Sequence, residues 1–421
     1  MRSLIEFPWV LLALASSCSA GVEGSRTVDA AEERDAGADE ISSSRDLDRE
    51  FQNSAPVISW DLLGRFPLND AGQSTLVEVP FEDDLRYLAI RVTPTADVVS
   101  DRLCLRLEPV GLASGAVLVG EAHAQGNDNP VCTACSQRVF SGHGVGLFVF
   151  PNDGAPLPGP ETLEFRVQAR DCMTGIVATR SLLPNLPAEV EVEVASAPQP
   201  KTQARTLDVR VAVIPGAEVE PATWSTAWAL AEARFAETGI ELRLHEVVSP
   251  AGDAFQKVEV GAGDQAMLDQ VFADSLGLFT EDSSTAPFLP MILVPCLEEM
   301  DPVTRGRNFP AGFCPRIPGG AARGGFASAV FVATADCLTD FGSLEPRPWT
   351  TGEELGLIIA HEIGHYLGLY HSDTISSDHR RSAEWPNIMD SGVLTLDPKS
   401  AGWSPAQSDV MRRHLEVRTG D

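Results

Sequence analysis

The sequence predicts two domains, an all-β domain of sandwich type followed by an α/β domain, and three observations lead to this prediction. Between residues 56 and 197, apolar side chains recur at every second position in short runs, which is typical of strands. From residue 206 to residue 421, apolar strand-like runs alternate with segments of helical period. The polar segment 198–205 carries two prolines, and we predict that it links the two domains.

The first 55 residues are predicted to lie outside both domains. Residues 1–20 combine Arg2, a short apolar run and small residues near the end, which is typical of an export signal. The segment that ends at Cys18 resembles a bacterial lipobox, which implies a lipid on Cys18; ordinary cleavage after Ala20 is the alternative. Residues 21–55 hold almost no large apolar side chain, so we predict a disordered acidic tether, or a propeptide that is removed.

The composition disfavours nucleic acid and anionic membrane surfaces as partners. The chain has 421 residues, enough for two or three domains, and a formal net charge of -29. Such acidity disfavours nucleic acid and anionic membrane surfaces, so contact with a membrane is expected only through the lipid anchor. Beyond the signal, no apolar run reaches the roughly 18 residues that span a bilayer. Nothing in the sequence indicates an oligomeric state.

The all-β domain is predicted from six runs of alternating apolar residues that are separated by Gly, Pro, Asn and Asp. A lone C-x-x-C pair, Cys132 and Cys135, has no second half, so we interpret it as part of a disulfide rather than a zinc site. In an oxidising compartment, two disulfides are expected in this half, one in the second half, and one thiol is left over. The predicted strands are 75–79, 87–92, 103–107, 147–150, 163–167 and 190–194.

The α/β domain is predicted to begin with a strand, a helix opened by Pro221 and a second strand that pairs in parallel with the first. Gly239 lies just past the end of that helix. A final helix is opened by Ser404, with Pro405 at its first position and Gln407 completing a capping box. The other predicted elements are strands 207–213, 240–247, 291–294 and 329–332 and a helix over 265–276.

One predicted helix carries the chemistry. Thr351 and Glu354 form a capping box, and the apolar pattern that follows predicts a helix that contains His361 and His365. Residues four apart lie on one helix face, so these two imidazoles can bind one tetrahedral zinc. Glu362 is adjacent and can reach a water on that zinc, which makes it the candidate general base.

A third histidine completes the candidate metal site. His371 lies too far along a continuing helix to share the metal, so the helix has to stop and the chain has to turn. Gly368 can adopt the left-handed conformation that such an ending needs. The complete pattern from His361 to His371 is H-E-x-x-H-x-x-G-x-x-H, which is far more specific than its first five residues.

This motif, followed by Met389 in Pro-Asn-Ile-Met-Asp, resembles the metzincin zinc peptidases, and within them the pappalysin and cytophagalysin branch. The resemblance implies a mixed twisted sheet, a zinc helix, a C-terminal helix under the site, and Met389 as an apolar floor below the histidines. It also implies an edge strand within Ala311 to Phe326 that pairs with the substrate backbone. A plain surface loop is the alternative for that segment.

Other side chains are weaker candidates. If Cys314 is the thiol left over, its thiolate could bind the zinc and hold the enzyme latent; an inert buried thiol or a disulfide to the first domain are the alternatives. Asp373, Asp378 and His379 lie between the third histidine and Met389. They could bind calcium or contact substrate, or they are ordinary solvated loop residues.

The sequence therefore predicts an exported zinc endopeptidase that is either lipid-anchored in the bacterial cell envelope or secreted. In this prediction His361, His365 and His371 bind zinc, Glu362 is the general base, and the substrate is a protein or peptide. The alternative is a surface adhesion or binding lipoprotein whose β-domain acts and whose zinc is structural. A structural site is usually closed by four protein ligands, whereas this pattern supplies three.

Overall fold

The structure is a computed structural model, and it describes two stretches of chain that are rich in regular structure. Its residues are 58–95, 103–108, 110–119, 140–141, 145–150, 157, 159–171, 176–198, 205–249, 257–260, 265–279, 288–300, 307–308, 310–320, 325–336, 347–348, 351–369, 371, 386–390, 393 and 396–419. The predicted signal, the tether and Cys18 lie outside the described residues, as do Cys132 and Cys135. No helix in the described part of the chain is long and apolar enough to cross a membrane.

The first half contains three sheets, and every strand pairing described within them is antiparallel. Their strand orders are β1-β11-β3-β8, β10-β4-β7 and β2-β9-β5-β6. One apolar cluster, which includes Ile90, Leu105 and Phe165, fills the interior. The strands are β1 (Asp61–Pro67), β2 (Val77–Phe81), β3 (Leu85–Pro94), β4 (Leu103–Leu107), β5 (Val110–Leu112), β6 (Val117–Val119), β7 (Phe140–Ser141), β8 (Gly146–Phe150), β9 (Glu161–Phe165), β10 (Val167–Asp171) and β11 (Glu189–Pro198).

The strand predictions for this half are accurate in place but not always in extent. The predicted strand 163–167 is in fact the end of β9 and the start of β10. The two strands are separated by Arg166, which belongs to neither. β9 pairs with β2 and β5, whereas β10 pairs with β4, so the two belong to different sheets. Period-two alternation continues through such a break and therefore does not reveal it. The sandwich architecture and the domain boundaries stay predictions.

The second half is built on a mixed six-stranded sheet in the order β13-β12-β15-β19-β18, with β22 also paired to β12. β12, β13, β15 and β19 run parallel, whereas β18 and β22 are antiparallel to their neighbours. β14, β16 and β17 form a small sheet, and β20 pairs with β21. The strands are β12 (Arg205–Val213), β13 (Ile240–Val248), β14 (Val258–Val260), β15 (Leu289–Val294), β16 (Leu297–Met300), β17 (Arg307–Asn308), β18 (Gly312–Phe313), β19 (Val330–Ala333), β20 (Ala335–Asp336), β21 (Arg347–Pro348) and β22 (Arg418–Thr419).

Within the described residues four helices accompany this sheet, and each is one that the sequence predicts. The predicted parallel pairing across the first of them, between β12 and β13, is confirmed. All six residues of β15 are buried, as a strand covered on both faces requires. The mixed sheet with its helices is consistent with the α/β domain expected from the sequence. The helices are α1 (Pro221–Glu237), α2 (Gln265–Phe279), α3 (Gly352–Tyr366) and α4 (Pro405–Arg412), with a short 3-10 turn at Gly325–Ser328.

The segment 412–417, which follows α4, lies between the two halves. Arg86 on β3 donates hydrogen bonds to the carbonyl oxygens of Arg412 (3.1 Å), His414 (3.0 Å) and Val417. Leu415 packs in an apolar cluster with Tyr87 of the same strand. The sequence pattern of Val410, Met411 and Leu415 predicts one buried stripe on the last helix. The helix instead ends at Arg412, so Leu415 is free to face the first half.

The opposite side of segment 412–417 faces the end of α3. The Tyr366 hydroxyl donates a hydrogen bond to the Glu416 carboxylate, and His414 Nε2 lies 3.3 Å from the Gly319 carbonyl oxygen. Burial and the nearby Glu416 carboxylate raise the pKa of Tyr366 well above its usual value. The segment therefore contacts the first half and the end of α3 at the same time.

Cysteine chemistry is described at three positions. Cys104 and Cys296 are disulfide-bonded, one in each half of the chain. Cys314 is a buried thiol that is not in a disulfide. The predicted distribution of disulfides between the halves stays a prediction.

Candidate metal centre

Helix α3 begins at the predicted capping box. The Thr351 hydroxyl oxygen accepts a hydrogen bond from the Glu354 backbone N–H (3.1 Å), and the Glu354 carboxylate accepts one from the Thr351 N–H (3.0 Å). The helix then packs closely on α1, because Gly352 and Gly356 face it. A Cβ atom at either glycine would lie 2.6 Å from a carbonyl oxygen of α1. The start of α3 is thus fixed both locally and by packing.

The three predicted histidines meet at one point. α3 ends at Tyr366, and Gly368 has a φ of 102°, a left-handed conformation that lets the chain turn back. The Nε2 atoms of His361 and His365 lie 3.0 Å apart, and those of His371 and His361 lie 3.2 Å apart. The third distance, between His365 and His371, is 3.1 Å. All three side chains are buried.

Hydrogen bonds determine which ring nitrogens face one another. Nδ1 of His361 lies 2.7 Å from the carbonyl oxygen of Ile388, and Nδ1 of His365 lies 2.7 Å from that of Leu369. A carbonyl oxygen only accepts, so each Nδ1 carries the proton and each Nε2 has its lone pair free for a metal. Burial, and then the neighbouring His361 and His371, lower the pKa of His365 well below its usual value. The neutral form is therefore favoured.

This arrangement fits a metal ion. Neutral imidazole lone pairs that converge at 3.0–3.2 Å repel one another unless a cation lies between them. A triangle of this size can be bound by one ion at the about 2.0–2.1 Å typical of zinc–imidazole bonds. In the described part of the chain, these three histidines are the one group of His, Cys, Asp or Glu side chains close enough to bind a metal together. The cluster is compatible with zinc.

Glu362 lies beside this cluster in an unusual environment. Its side chain is buried, and the described residues offer no hydrogen-bond partner to its Oε2 atom. Burial raises the pKa of this carboxyl group to about 8. A buried carboxyl oxygen without a partner is costly, and such groups are expected where a ligand or water takes part in the chemistry.

The edge strand β18 approaches Glu362 directly. Gly312 faces the Glu362 side chain, and a Cβ atom at position 312 would lie 2.4 Å from Oε1 of Glu362. β18 is the last strand of the six-stranded sheet on this side, within the described residues. The edge strand expected within Ala311 to Phe326 is therefore present as Gly312–Phe313.

Met389 lies against helix α3, and its expected role as an apolar floor below the histidines stays a prediction. It is fully buried, and a Cβ atom at Gly364 of α3 would lie 2.6 Å from its sulfur atom. The same Cβ atom would lie 3.1 Å from the ring of Trp403. Gly364 therefore allows the turn at residues 387–390, which we call the methionine turn, to contact the backbone of α3. The place of this glycine between the two histidines is the one sequence signal for this contact.

The structure does not bring Cys314 to the histidines. Its thiol donates a hydrogen bond to the carbonyl oxygen of Arg316 (3.0 Å), and Cys314 does not belong to the described group of side chains that lie close enough to bind one metal ion. The hypothesis that this thiol binds the zinc is therefore wrong for this conformation. β18 instead brings Gly312, two residues earlier in the chain, to Glu362. Asp373, Asp378 and His379 lie outside the described residues.

The site is thus a three-histidine metal centre, compatible with zinc, on a helix of an α/β domain. The structure of archaemetzincin from Methanopyrus kandleri is similar to 52% of this chain and 98% of that chain, with 15% identity and a TM-score of 0.30. Metalloproteinase-II from Bacteroides fragilis is similar over 54% of this chain and 63% of that chain, with 11% identity and a TM-score of 0.31.

No protein-family model matches the sequence, and no curated protein matches it. The interpretation of the site therefore rests on the geometry of His361, His365, His371 and Glu362.

Proposed function

We propose that the protein is a zinc-dependent endopeptidase in which His361, His365 and His371 bind the metal and Glu362 is the general base. One observation carries this proposal: the Nε2 atoms of three imidazoles converge beside a buried carboxyl group that has no described partner at Oε2. A merely structural zinc site would usually be closed by a fourth protein ligand. If Glu362 had no part in the chemistry, the free-energy cost of burying its carboxyl group beside the histidines would have no explanation.

In this proposal each residue has a defined task. A bound zinc would polarise the scissile carbonyl and lower the pKa of a water molecule at the site. Glu362 takes the proton from the attacking water and then delivers it to the leaving amine. The Ile388 and Leu369 carbonyl oxygens hold two of the histidines in the tautomer that leaves Nε2 unprotonated. Closure by β18 limits the access of bulk water to Glu362.

The edge strand supports a peptide as the substrate. The Ala333 N–H donates to the Ala311 carbonyl oxygen (2.9 Å), so in this antiparallel ladder the next pair, Gly312 and Val332, is not hydrogen-bonded. The backbone N–H and C=O groups of Gly312 therefore point to the open edge of the sheet. An extended peptide can pair with them by β-augmentation, which brings its backbone next to Glu362.

The cellular setting is part of the same proposal and comes from the sequence. An export signal with a lipid on Cys18, followed by an acidic tether, would hold the enzyme in the bacterial cell envelope. Cleavage after Ala20 would release it instead.

The test substitutes Glu362 by glutamine, which keeps the size of the side chain but removes its basicity. We expect zinc content equal to that of the parent protein and casein hydrolysis slower by about 10²–10⁴-fold. Glu353→Gln is the matched control, because Glu353 lies in the first turn of the same helix, and it should retain activity. If purified zinc-loaded protein has no chelator-sensitive hydrolase activity, the alternative of a binding lipoprotein with a structural zinc takes precedence.

A further inference from the structure

A buried pair of side-chain amides joins the methionine turn to the last helix. Asn387 Nδ2 donates to Oε1 of Gln407 (2.9 Å), and Gln407 Nε2 donates back to Oδ1 of Asn387 (3.0 Å). Both side chains are completely buried. Each amide thus offers the other both a donor and an acceptor, and this pairing fixes their relative orientation.

Asn387 passes this orientation on to the turn. Its Oδ1 atom also accepts a hydrogen bond from the backbone N–H of Met389 (2.8 Å). The side chain of Asn387 therefore holds the peptide group that joins Ile388 to Met389. The carbonyl oxygen of Ile388 is the group that lies 2.7 Å from Nδ1 of His361. The direction of the His361 ring therefore depends on a turn that Asn387 holds.

Gln407 is itself held at the start of α4. Its Oε1 atom accepts a hydrogen bond from the Ser404 N–H (2.8 Å), and its own N–H donates to the Ser404 hydroxyl oxygen (3.1 Å). The capping box recognised in the sequence thus has a second use. Gln407 caps α4 and is also the hydrogen-bond partner of Asn387. This second contact accounts for its complete burial, although glutamine side chains are mostly exposed in proteins.

We propose that Gln407 is a positioning residue for the metal centre, acting on His361 through Asn387 and the Ile388 carbonyl oxygen. Groups that orient a metal-binding histidine typically change metal affinity by about 10–100-fold when they are removed. This inference rests on the proposed function only in taking the three histidines as metal ligands. It does not require the protein to hydrolyse peptides.

The experiment compares Gln407→Leu with Ser404→Ala in the full-length protein. Both substitutions damage the cap of α4 and should lower Tm, but only Gln407→Leu breaks the amide pair. We expect zinc affinity, measured by competition with a chelating dye, to fall by about 10–100-fold in Gln407→Leu and to stay at the parent value in Ser404→Ala. The visible spectrum of the cobalt-substituted protein should change in Gln407→Leu alone.

A second pair of variants applies if Gln407→Leu does not fold. Gln407→Glu keeps the acceptor for Ser404 and for Asn387 but loses the donor to Asn387 Oδ1. Ser404→Asp adds the same charge at the same helix start and keeps the amide pair. A fall in zinc affinity and a change in the cobalt spectrum for Gln407→Glu, with Ser404→Asp unchanged, supports the inference.

Equal zinc affinities and equal cobalt spectra in Gln407→Glu and the parent protein would overturn the inference. That outcome would leave the Glu362→Gln test of peptidase activity unaffected. Conversely, a protein without peptidase activity would still give a valid comparison of zinc affinities.

Discussion

Gly312 on the edge strand lies so close to Glu362 on α3 that a Cβ atom at position 312 would be 2.3 Å from Cγ of Glu362. Real Cβ atoms do not approach another carbon this closely, so either the strand or the carboxylate would have to move. The absence of a side chain at one position of β18 therefore allows the carboxyl group to lie between the strand and the metal-site helix.

Gly312→Ala is predicted to impair hydrolysis while it leaves the metal in place. The added methyl group displaces Glu362 from the cluster, and displacement of a reacting group by about 1 Å can lower the rate by roughly 10²-fold. kcat should fall by at least about 10-fold, with zinc content unchanged. Gly402→Ala is the control, because a Cβ atom there meets only a carboxylate oxygen at 3.8 Å. Parent-like kcat in Gly312→Ala would show that the close contact has no catalytic consequence.

The raised pKa of Glu362 predicts how the stability of the zinc-free protein depends on pH. Burial raises the pKa of this group from 4.5 to about 8, so between these values the folded protein holds a proton that the unfolded chain has lost. The free energy of unfolding should therefore fall as pH rises from about 4.5 to 8, by roughly 1.4 kcal/mol per pKa unit at most.

Urea unfolding of the chelator-treated protein at several pH values measures this contribution. Glu362→Gln does not titrate, so its unfolding free energy should fall less steeply over the same window. Other groups titrate equally in both proteins, and the difference between the two curves isolates Glu362. Parallel curves would mean that the carboxyl group ionises as it does in water.

Arg86 is predicted to stabilise the contact between the first half of the chain and the segment 412–417. Burial lowers the pKa of Arg86 to about 10, with a further contribution from Arg205, so the guanidinium remains charged at neutral pH. Arg86→Met keeps the apolar stem but removes a hydrogen-bond donor from three backbone carbonyl oxygens, of which only that of His414 keeps a second described donor, the Val417 N–H. We expect the free energy of unfolding to fall by about 2–4 kcal/mol and amide exchange to increase in residues 412–419.

Arg65→Met is the matched control for this change. Arg65 lies on β1 of the same sheet, and its side chain is 61% exposed in its ion pair with Glu191. An exposed pair of this kind contributes less than about 1 kcal/mol. If the two variants have equal stability and equal exchange at 412–419, the segment does not depend on Arg86.

Local signals account for what could be predicted of the site. The capping box at Thr351, the spacing of His361 and His365, and the glycine at 368 each specify a conformation within a few residues of chain. Hydrogen-bonding and steric preferences of this kind operate over one or two turns, so the start of α3, its end and the return of His371 could all be read from the sequence. The structure confirms all three.

Contacts between distant segments could not be predicted in the same way. The Ile388 carbonyl oxygen, Gly312 and Gln407 acquire their roles only because the turn, the edge strand and α4 pack around one helix. Cys314 shows the converse, since its place in the expected loop suggested a zinc ligand, but the path of the chain carries it towards Tyr366. Gly312 and Cys314 are two residues apart, and an extended chain advances about 3.3 Å per residue. This separation is enough to bring Gly312 to Glu362 and to leave Cys314 away from the histidines.

The sequence by itself determined which side chains can bind the metal, because their spacing on a capped helix, with a glycine just past its end, lets all three reach one ion. The tertiary structure alone decided which groups orient those side chains and which surface closes over Glu362. Metal-ligand spacing is a property of one segment, whereas orientation and closure depend on long-range packing that joins α3, β18 and α4.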